Sequence, residues 1–229
     1  MTRCAALVLL LATAAAANYC TLPSCPGRTH TMCKYPRSNP GSSCDRVLER
    51  GVSRADRALI LREHNRIRQA VKAGRYASKN LPAAKAMPDL RWDSELARVA
   101  QRWADQCLYG HDKCRSVPRF YVGQNFAFTS GAARDWNGRA IRQWFHSELP
   151  FFRQSDLVFR RGTDPATGRA IGHLTQVIWA RTTKIGCGYM AWGNDKWAAR
   201  TYFCNYGPGG NIRHHKIYQR GQSPGTCRG

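Results

Sequence analysis

Cysteine is the residue type whose side-chain chemistry says most about this chain of 229 residues, which contains ten cysteines. Cysteines at this density occur either in disulfide scaffolds or in metal clusters. Metal clusters held by cysteine use CxxC spacing, and the sequence contains no such pair. The cysteines therefore indicate a disulfide scaffold, which requires an oxidising compartment.

Histidine is the other residue type that could supply a ligand or a base. His64 stands four residues after Ile60 and three before Ile67, so all three share one face of a helix predicted over residues 53–76. A histidine on an apolar helix face is more often a hydrogen-bonded core residue than a ligand or a base. Spacing alone therefore favours a structural His64. Four further histidines are predicted to lie at the surface or at caps: His111, His146, His214 and His215.

The N-terminus has the pattern of a secretory signal peptide. Arg3 supplies the positive charge, and residues 5–17 form an apolar run ending in three small residues before Asn18. This run is too short to span a bilayer, which takes about 20 helical residues, and it is the only long one, which excludes a multi-span membrane protein. A buried N-terminal helix is the alternative, but charged and turn-rich sequence follows at once. We therefore expect a secreted, extracellular protein.

Loss of the signal peptide would leave nine cysteines, an odd number, so at least one lacks an intramolecular partner. Residues 184–192 and 197–206 are strand-like and flank the turn-forming residues GNDK. Cys187 and Cys204 are equidistant from the centre of that turn and could face each other across a hairpin. Four other cysteines lie within residues 20–44, which are rich in Pro, Gly and Ser. This segment is predicted to lie on the surface, held there by disulfides.

Three helices are predicted from caps and periodicity. Ser53 and Asp56 form a candidate capping box at the start of the first. The second begins near a cap at Asp93, and the third covers residues 141–149 and is stopped by Pro150. The predicted apolar face of the second helix consists of Leu96, Ala100, Trp103 and Cys107.

The order of these elements indicates the fold class. Residues 153–172 are predicted to form an exposed basic loop, and the chain from His173 onward reads as strands joined by Gly-rich turns. Helices followed by strands favour an α+β fold or a three-layer α/β/α sandwich. The predicted organisation is a signal peptide (1–17), an irregular disulfide-rich N-terminal segment (18–52), the main domain (53–212) and a basic C-terminal tail (213–229).

Specific motifs carry a resemblance to a known family. They are GHLTQVIWA at 172–180, IGCG at 185–188, YFCNYGPGGN at 202–211, EHNR at 63–66 and GQN at 123–125. Together they resemble the CAP superfamily, which groups cysteine-rich secretory proteins, antigen 5 and plant pathogenesis-related proteins of class 1. The cysteine-rich start of the mature chain and CLYGHDKC at 107–114 are similar to the venom allergen 5 branch of arthropods.

The resemblance implies the α/β/α sandwich of that family and a set of four disulfides. Cys227 has no counterpart in this set, so we expect it to be free, capped by a small thiol, or used in a disulfide-linked dimer. The implied pairs are Cys20–Cys33, Cys25–Cys114, Cys44–Cys107 and Cys187–Cys204.

The resemblance also implies a cleft shared by two histidines and two carboxylates. His64 and His173 are predicted as the histidines, which could hold zinc or another divalent metal. Gln124 and Ser147 stand where relatives have the carboxylates, and Glu148 lies one position further on, a rotation of about 100° on a helix. Either the helix register shifts by one and keeps Glu148 in the cleft, or the carboxylate is lost. The candidate metal ligands are His64, His173 and Glu148, with Gln124 and Ser147 lining the cleft.

The function implied by the resemblance is that of a non-enzymatic venom or saliva protein that acts by binding an extracellular host target and behaves as an allergen. One alternative is a carrier of sterols or fatty acids in an apolar groove. A second is a metal-dependent or serine-type protease. Only Ser147 and Thr175 could serve as its nucleophile, and neither lies in a recognisable nucleophile turn.

The net charge bears on the partner. The formal charge of +22 becomes +21 without Arg3, and 28 of the 36 basic residues are arginine. Arginine pairs bidentately with oxyanions, and sulfated glycosaminoglycans and anionic lipids are available outside cells, whereas nucleic acid is not an expected partner. The alternative is that the basic side chains only keep the surface hydrated and bind no particular partner. The candidate anion-binding residues are Arg153, Arg160, Arg161 and Arg169 in the loop, and Arg213, His214, His215, Lys216 and Arg220 in the tail.

Overall fold

The computed structural model describes residues 18–131, 133–153, 157–194 and 197–222. The predicted signal peptide and Cys227 lie outside these ranges. No helix in the described ranges is both long and apolar enough to cross a membrane.

The described chain contains five α-helices and five strands. The helices are α1 (Thr31–Lys34), α2 (Arg54–Lys72), α3 (Ser94–Ala104), α4 (Arg142–Phe145) and α5 (Gly172–Val177). The strands are β1 (Val47–Arg50), β2 (Arg91–Trp92), β3 (Gly123–Ser130), β4 (Lys184–Gly193) and β5 (Ala198–Gly207). A π-helical turn (Asn137–Ile141) leads into α4, and 3-10 turns form at Pro26–Arg28, Ala77–Lys79 and Leu149–Phe151.

All five strands belong to one sheet whose centre is the predicted hairpin. β4 and β5 pair in antiparallel register with Cys187 opposite Cys204, and β3 pairs antiparallel with the free edge of β5. β1 and the short, parallel β2 both pair with β4. The hairpin and its cross-strand disulfide, predicted from the turn between the strands, are confirmed.

Helices cover both faces of the sheet. Side chains alternate along the strands, so Tyr189 and Tyr202 pack with residues of α2 and α4, while Met190 and Phe203 pack with Trp103 of α3. α3 lies so close to the sheet that a Cβ at position 186 or 188, both glycine, would collide with the backbone of α3. The predicted three-layer α/β/α sandwich is confirmed.

Caps fix where the first two long helices begin. The Asp56 N–H donates to Ser53 Oγ at 3.0 Å and the Ser53 N–H donates to Asp56 Oδ2 at 3.2 Å, a complete capping box. Asp93 Oδ1 accepts from the Leu96 N–H at 3.0 Å and so caps α3. α3 ends at Ala104, and Cys107 follows it with a φ of 53°. Cys107 therefore lies beyond the helix, not on its apolar face.

Four disulfides connect the N-terminal segment and the sheet, and all four predicted pairs are confirmed. Cys20–Cys33 lies within the segment, whereas Cys25–Cys114 and Cys44–Cys107 attach it to the chain that follows α3. The segment also contributes α1 and the edge strand β1, which the sequence did not predict. Short pieces of this kind carry too little periodicity to be recognised.

The third predicted helix differs from its observed form. Its regular part is only the four residues of α4, preceded by the π-helical turn. Pro150 lies inside the 3-10 turn Leu149–Phe151, not after the end of a helix. Proline is tolerated in a first turn because its missing N–H would have no partner there.

The basic loop and tail are packed more closely than predicted. The Ile217 N–H donates to Leu157 O at 2.8 Å, and the Phe159 N–H donates to His215 O at 2.9 Å. Leu157, Phe159, Ile217 and Tyr218 are buried. The prediction of a fully exposed loop is therefore wrong, because the tail pairs with it and pulls apolar side chains inward.

The chain directly after His173 is helical, not a strand as predicted. It forms α5, whose last four residues, beginning at Leu174, are buried. A short buried helix and a short buried strand have the same apolar composition, so periodicity does not separate them.

Candidate functional site

A solvent-open cleft of about 280 Å³ lies where α4 ends and α5 begins. The side chains that define it come from β3, from α4 and the turn after it, from α5 and from the loop before α5. They are Phe126 from β3, Trp144, Ser147 and Glu148 from α4 and the turn after it, Arg169, and His173 from α5.

An imidazole–carboxylate pair forms the chemical centre of this cleft. His173 Nδ1 lies 2.5 Å from Glu148 Oε1, and Glu148 Oε2 accepts from the Leu174 N–H at 2.8 Å. The His173 side chain is 31% exposed and that of Glu148 is 7% exposed. The His173 ring also stacks on Trp144, with ring centroids 6.4 Å apart. The carboxylate therefore holds one imidazole nitrogen, and the other faces the open side without a partner among the described residues.

The turn after α4 explains how Glu148 reaches His173 although Ser147 occupies the expected position. The Ser147 N–H donates to Arg142 O, five residues back, at 3.3 Å. This wider turn replaces the regular helix after Phe145, so helical spacing no longer decides which side chain faces inward. Glu148 is buried and Ser147 is exposed. Glu148 thus orients His173, and both of its carboxylate oxygens are already engaged, so it is not the free metal ligand that was predicted.

His111 is the second histidine near this cleft. Its Nδ1 lies 2.7 Å from Gln124 Oε1, and Gln124 Nε2 donates to Asn205 Oδ1 at 2.9 Å and to Asp112 Oδ1 at 3.2 Å. Desolvation lowers the pKa of His111, and nearby positive groups, His173 among them, lower it further. Since the Gln124 oxygen only accepts, His111 Nδ1 carries the proton and its Nε2 keeps a lone pair.

The prediction that His111 is an ordinary surface residue missed this role. The signal was its position between Cys107 and Cys114. Both cysteines are disulfide-bonded, so the loop between them is fixed at two points and can present a side chain in one orientation. Gln124, predicted to line the cleft, lies beside His111.

The prediction that His64 shares the cleft with His173 is wrong. His64 is fully buried; its Nδ1 lies 2.8 Å from Ile60 O, and its Nε2 lies 2.9 Å from Tyr206 Oη. Desolvation lowers the pKa of His64 to about 4. Both ring nitrogens are engaged, so His64 is the hydrogen-bonded core residue that its helix position favoured.

The donor set does not fit a complete zinc site. Catalytic zinc uses three protein ligands and structural zinc uses four. No group of three or more His, Cys, Asp or Glu side chains in the described part of the chain is arranged to hold a metal ion. His111 and His173 offer two imidazole nitrogens, while the Glu148 carboxylate is engaged by His173 and Leu174. No chemical step is therefore derived through a metal.

The two candidate nucleophiles differ in burial and in partners. Thr175 is buried, and its hydroxyl is bonded to Ile171 O, Gly172 O and Asn211 Oδ1. Ser147 is exposed at the cleft. Among the residues that the structure describes, no serine or threonine hydroxyl is hydrogen-bonded to an imidazole, which is the contact that activates such a nucleophile.

The four arginines predicted to bind anions are all exposed: Arg153, Arg160, Arg161 and Arg169. Three of them interact with neighbours of their own, Arg160 through a hydrogen bond that its guanidinium donates to Val158 O at 3.4 Å. The Arg169 guanidinium lies 5.6 Å from the centroid of the Phe151 ring, and the charge of Arg153 helps to lower the pKa of the Asp164 carboxyl, after its hydrogen bonds to Thr167. Anion binding at this loop stays a prediction, as does the fate of Cys227.

The fold and the cleft define a disulfide-bonded α/β/α protein of the CAP type. Residues 61–206 match the family described as "CAP: Cysteine-rich secretory protein family". The chain belongs to this family, as the sequence motifs indicated.

Insect venom proteins are among its relatives. The chain is 42% identical over 211 residues to a "Venom allergen 3 homolog" from Dinoponera quadriceps, covering 89% of this chain and 90% of that protein. It is 40% identical over 217 residues to "Venom allergen 3" from Solenopsis invicta, covering 91% and 92%. The predicted similarity to arthropod venom allergens is confirmed.

A solved structure extends the likeness to three dimensions. The chain superimposes on the "Crystal structure of NaASP2 with Zn2+" with a TM-score of 0.58 and 27% identity, covering 75% of this chain and 89% of that one. The zinc in that title belongs to that protein.

Proposed function

We propose that this chain is a secreted, venom-allergen-type CAP protein that acts by binding an extracellular target and not by catalysis. Secretion is supported by the signal-peptide pattern and by four disulfides, which persist in oxidising compartments. The venom-allergen relatives support the same setting.

The state of the cleft carries the non-enzymatic part of the proposal. Each of its histidines has Nδ1 fixed by a side-chain oxygen, Glu148 for His173 and Gln124 for His111. Neither imidazole is placed against a serine or threonine hydroxyl within the described residues. Pre-oriented polar groups in an open cleft suit recognition of a ligand, whereas hydrolysis also needs an activated nucleophile.

Sulfated glycosaminoglycan is the partner that the charge favours. An excess of +21 on the mature chain attracts polyanions over distances beyond direct contact. Arginine dominates this excess, and its planar guanidinium pairs with two oxygens of a sulfate at once. A host protein with an acidic surface would use the same positive field and is the competing partner.

The test compares two chromatography columns of equal charge sign. We expect the mature protein to stay on heparin beyond physiological salt and to leave a plain sulfonate exchanger at lower salt. Specific pairing of arginine with sulfates predicts this difference between the columns. Long-range attraction does not, because salt screens it equally on both columns, since the Debye length falls from about 10 Å at 0.1 M to about 3 Å at 1 M. Elution at the same salt from both columns would contradict a glycosaminoglycan partner.

A further inference from the structure

We infer that the sulfated chain binds along a row of three adjoining clefts, where residues 213–222 of the tail lie against the loop 82–91. This inference rests on the proposed function, because it places the partner at one surface. We call this surface the tail groove and define it by four cations: Lys85, Arg181, Lys216 and Arg220. None of these four residues lines the histidine cleft, whereas the tail pairs along its backbone with residues 157–159, so the tail groove adjoins the loop that carries Arg153.

The three clefts are joined through shared residues and backbone pairing. The central cleft, of about 390 Å³, is lined by Pro88, Arg181, Lys216 and Tyr218. Pro88 also lines the cleft on one side, which adds Arg91.

On the other side, the tail and the loop are paired along their backbones. The Lys85 N–H donates to Gln219 O at 2.8 Å, and Ala84 forms a bridge with Arg220. The third cleft lies at this pairing and contains the side chains of Lys85 and Arg220. A polymer can therefore follow the row without crossing a gap between separate sites.

Segments distant in the sequence bring the cations of the tail groove together. Lys85 precedes β2, Arg181 follows α5, and Lys216 and Arg220 come from the tail. The sequence placed the tail cations in one candidate patch, but the contribution of Lys85 and Arg181 arises only in the fold. All four side chains are exposed.

These four cations are also unpaired. None of them lies within 4.0 Å of a carboxylate among the described residues, in contrast to Lys184 at the far end, whose Nζ is 3.9 Å from Asp93 Oδ2. The lining of the three clefts includes one acidic residue, Asp89, whose Oδ1 already accepts from Gln69 Nε2 at 2.5 Å. The tail groove thus has a net positive charge that the chain itself leaves uncompensated.

The loop that carries Arg153, Arg160, Arg161 and Arg169 has the same charge as the tail groove but offers a less favourable site for a sulfate. Arg169 lies over the Phe151 ring at the rim of the cleft that contains Glu148, and Arg153 interacts with Asp164. A sulfate binding there would meet acidic groups nearby and would compete with existing contacts. Charge complementarity therefore favours the tail groove over the loop, although both segments carry similar numbers of basic residues.

The backbone of the tail groove is fixed on both sides. The Ala180 N–H donates to Ile217 O at 2.9 Å, and Tyr218 Oη donates to Pro82 O at 2.7 Å. Ile217 and Tyr218 are buried beneath the cationic rim. A preformed row of cations loses less conformational freedom on binding than a mobile loop does, which leaves more of the electrostatic attraction as affinity.

Two variants of equal charge test the location. The groove variant replaces the four tail-groove cations by serine: Lys85→Ser, Arg181→Ser, Lys216→Ser and Arg220→Ser. The loop variant carries Arg153→Ser, Arg160→Ser, Arg161→Ser and Arg169→Ser. Each loses four positive charges, so a difference between them reports position and not total charge. Unfolding midpoints of both variants are compared with wild type, and if that of the groove variant falls, Arg181→Ser, Lys216→Ser is compared with Arg161→Ser, Arg169→Ser, which also loses two positive charges.

We expect the groove variant to leave heparin at the salt that releases it from the sulfonate exchanger, while the loop variant keeps the preference for heparin. Each lost sulfate contact removes about 0.7–0.9 from the slope of log affinity against log salt, so titration with a heparin oligosaccharide should flatten by about 3 in the groove variant. The loop variant should flatten by less than about 1.

The possible failures are distinguishable. Equal elution of wild-type protein from both columns would remove the glycosaminoglycan proposal itself. If the wild type prefers heparin and the loop variant loses this preference, or both variants lose it equally, the tail groove is overturned. The glycosaminoglycan proposal would then still stand. Co-sedimentation of wild-type protein with phosphatidylserine vesicles, without retention on heparin, would overturn both the glycosaminoglycan proposal and the tail groove as its site.

Discussion

His64 and His173 both lie near the indole ring of Trp144 but differ in burial and in hydrogen-bond partners. Their ring centroids are 6.3 and 6.4 Å from that of Trp144. His64 is fully buried with both nitrogens engaged by the chain. His173 is about one-third exposed and has one nitrogen engaged, by Glu148.

The comparison shows that burial and the number of internal partners decide what a histidine can do. His64 is part of a buried chain of hydrogen bonds, because Tyr206 Oη also accepts from Asn125 Nδ2 at 3.3 Å, and that amide contacts His173 O at 3.2 Å. The buried region therefore supports the backbone of the open cleft. His64 contributes rigidity, while His173 and His111 contribute the nitrogens that a ligand can reach.

The largest expected effect is at Arg68, one turn after His64 in the same buried region. Its guanidinium donates to Pro88 O, Val177 O, Trp179 O and Thr182 O, each at 2.9 Å. Arg68→Leu should lower the free energy of unfolding by roughly 4 kcal/mol, because it leaves several buried carbonyls without donors. Urea unfolding with intact disulfides measures this change.

Arg66→Leu on the same helix is the matched control. The Arg66 side chain is 54% exposed and pairs with Glu63. Exposed ion pairs contribute less than about 1 kcal/mol, so this variant should unfold near the wild-type denaturant concentration. If Arg68→Leu and Arg66→Leu lowered the free energy of unfolding equally, the buried contacts of Arg68 would contribute no more to stability than the exposed ion pair of Arg66.

The second prediction concerns pH. The pKa of His64 is about 4 in the folded protein, below its ordinary value of 6.5, because burial disfavours the charged form. The unfolded chain therefore takes up the proton first as the pH falls, and stability that is complete above pH 6.5 is lost toward pH 4. This loss should be about 3 kcal/mol.

The His64→Gln variant isolates this contribution, since glutamine does not titrate. The difference in unfolding free energy between wild type and His64→Gln should be largest at pH 7 and should shrink toward pH 4. A difference that stays constant across this range would mean that the pKa of His64 is the same in the folded and the unfolded chain.

Much of the fold could be predicted because its signals are local. The Gly193–Lys196 turn residues positioned the Cys187–Cys204 pair, and Ser53 and Asp93 marked the starts of α2 and α3 through their caps. The family resemblance supplied the other three disulfides, for which the spacing of the cysteines left several pairings open.

The candidate site could be predicted only in part. His173 and Glu148 were named correctly as cleft residues, but the wide turn after α4 that brings them together has no signal in the helical spacing. His111 was missed because its loop has no periodicity, and its position follows from two long-range disulfides. Residue type and spacing identify groups that can react, whereas their exposure depends on contacts between distant segments.

The third prediction addresses metal affinity in the open region. Gln124→Glu would place a carboxylate against His111 Nδ1, as Glu148 stands against His173. His111 and His173 alone do not make a complete zinc site, but carboxylates behind ligating histidines change metal affinity by about 10–100-fold, so any weak zinc binding that calorimetry detects in wild-type protein should strengthen by about 10-fold or more in this variant.

The control for the metal prediction comes from the buried region. His64→Gln should leave zinc affinity unchanged, because both nitrogens of His64 are already engaged within the core. If His64→Gln kept its fold but lost zinc binding, His64 would have to be a metal ligand, which would contradict the contrast between His64 and His173.

The smallest effect is expected at Ser147, the exposed hydroxyl beside the His173–Glu148 pair. Ser147→Ala should change the unfolding free energy by less than about 0.5 kcal/mol, as is usual for exposed positions without internal partners. It should also leave any background hydrolysis of a casein substrate unchanged, because no imidazole among the described residues is hydrogen-bonded to this hydroxyl and could activate it. Hydrolysis that is present in wild-type protein and disappears in Ser147→Ala would make the open cleft an active site, and its oriented histidine would then be a general base instead of a binding group.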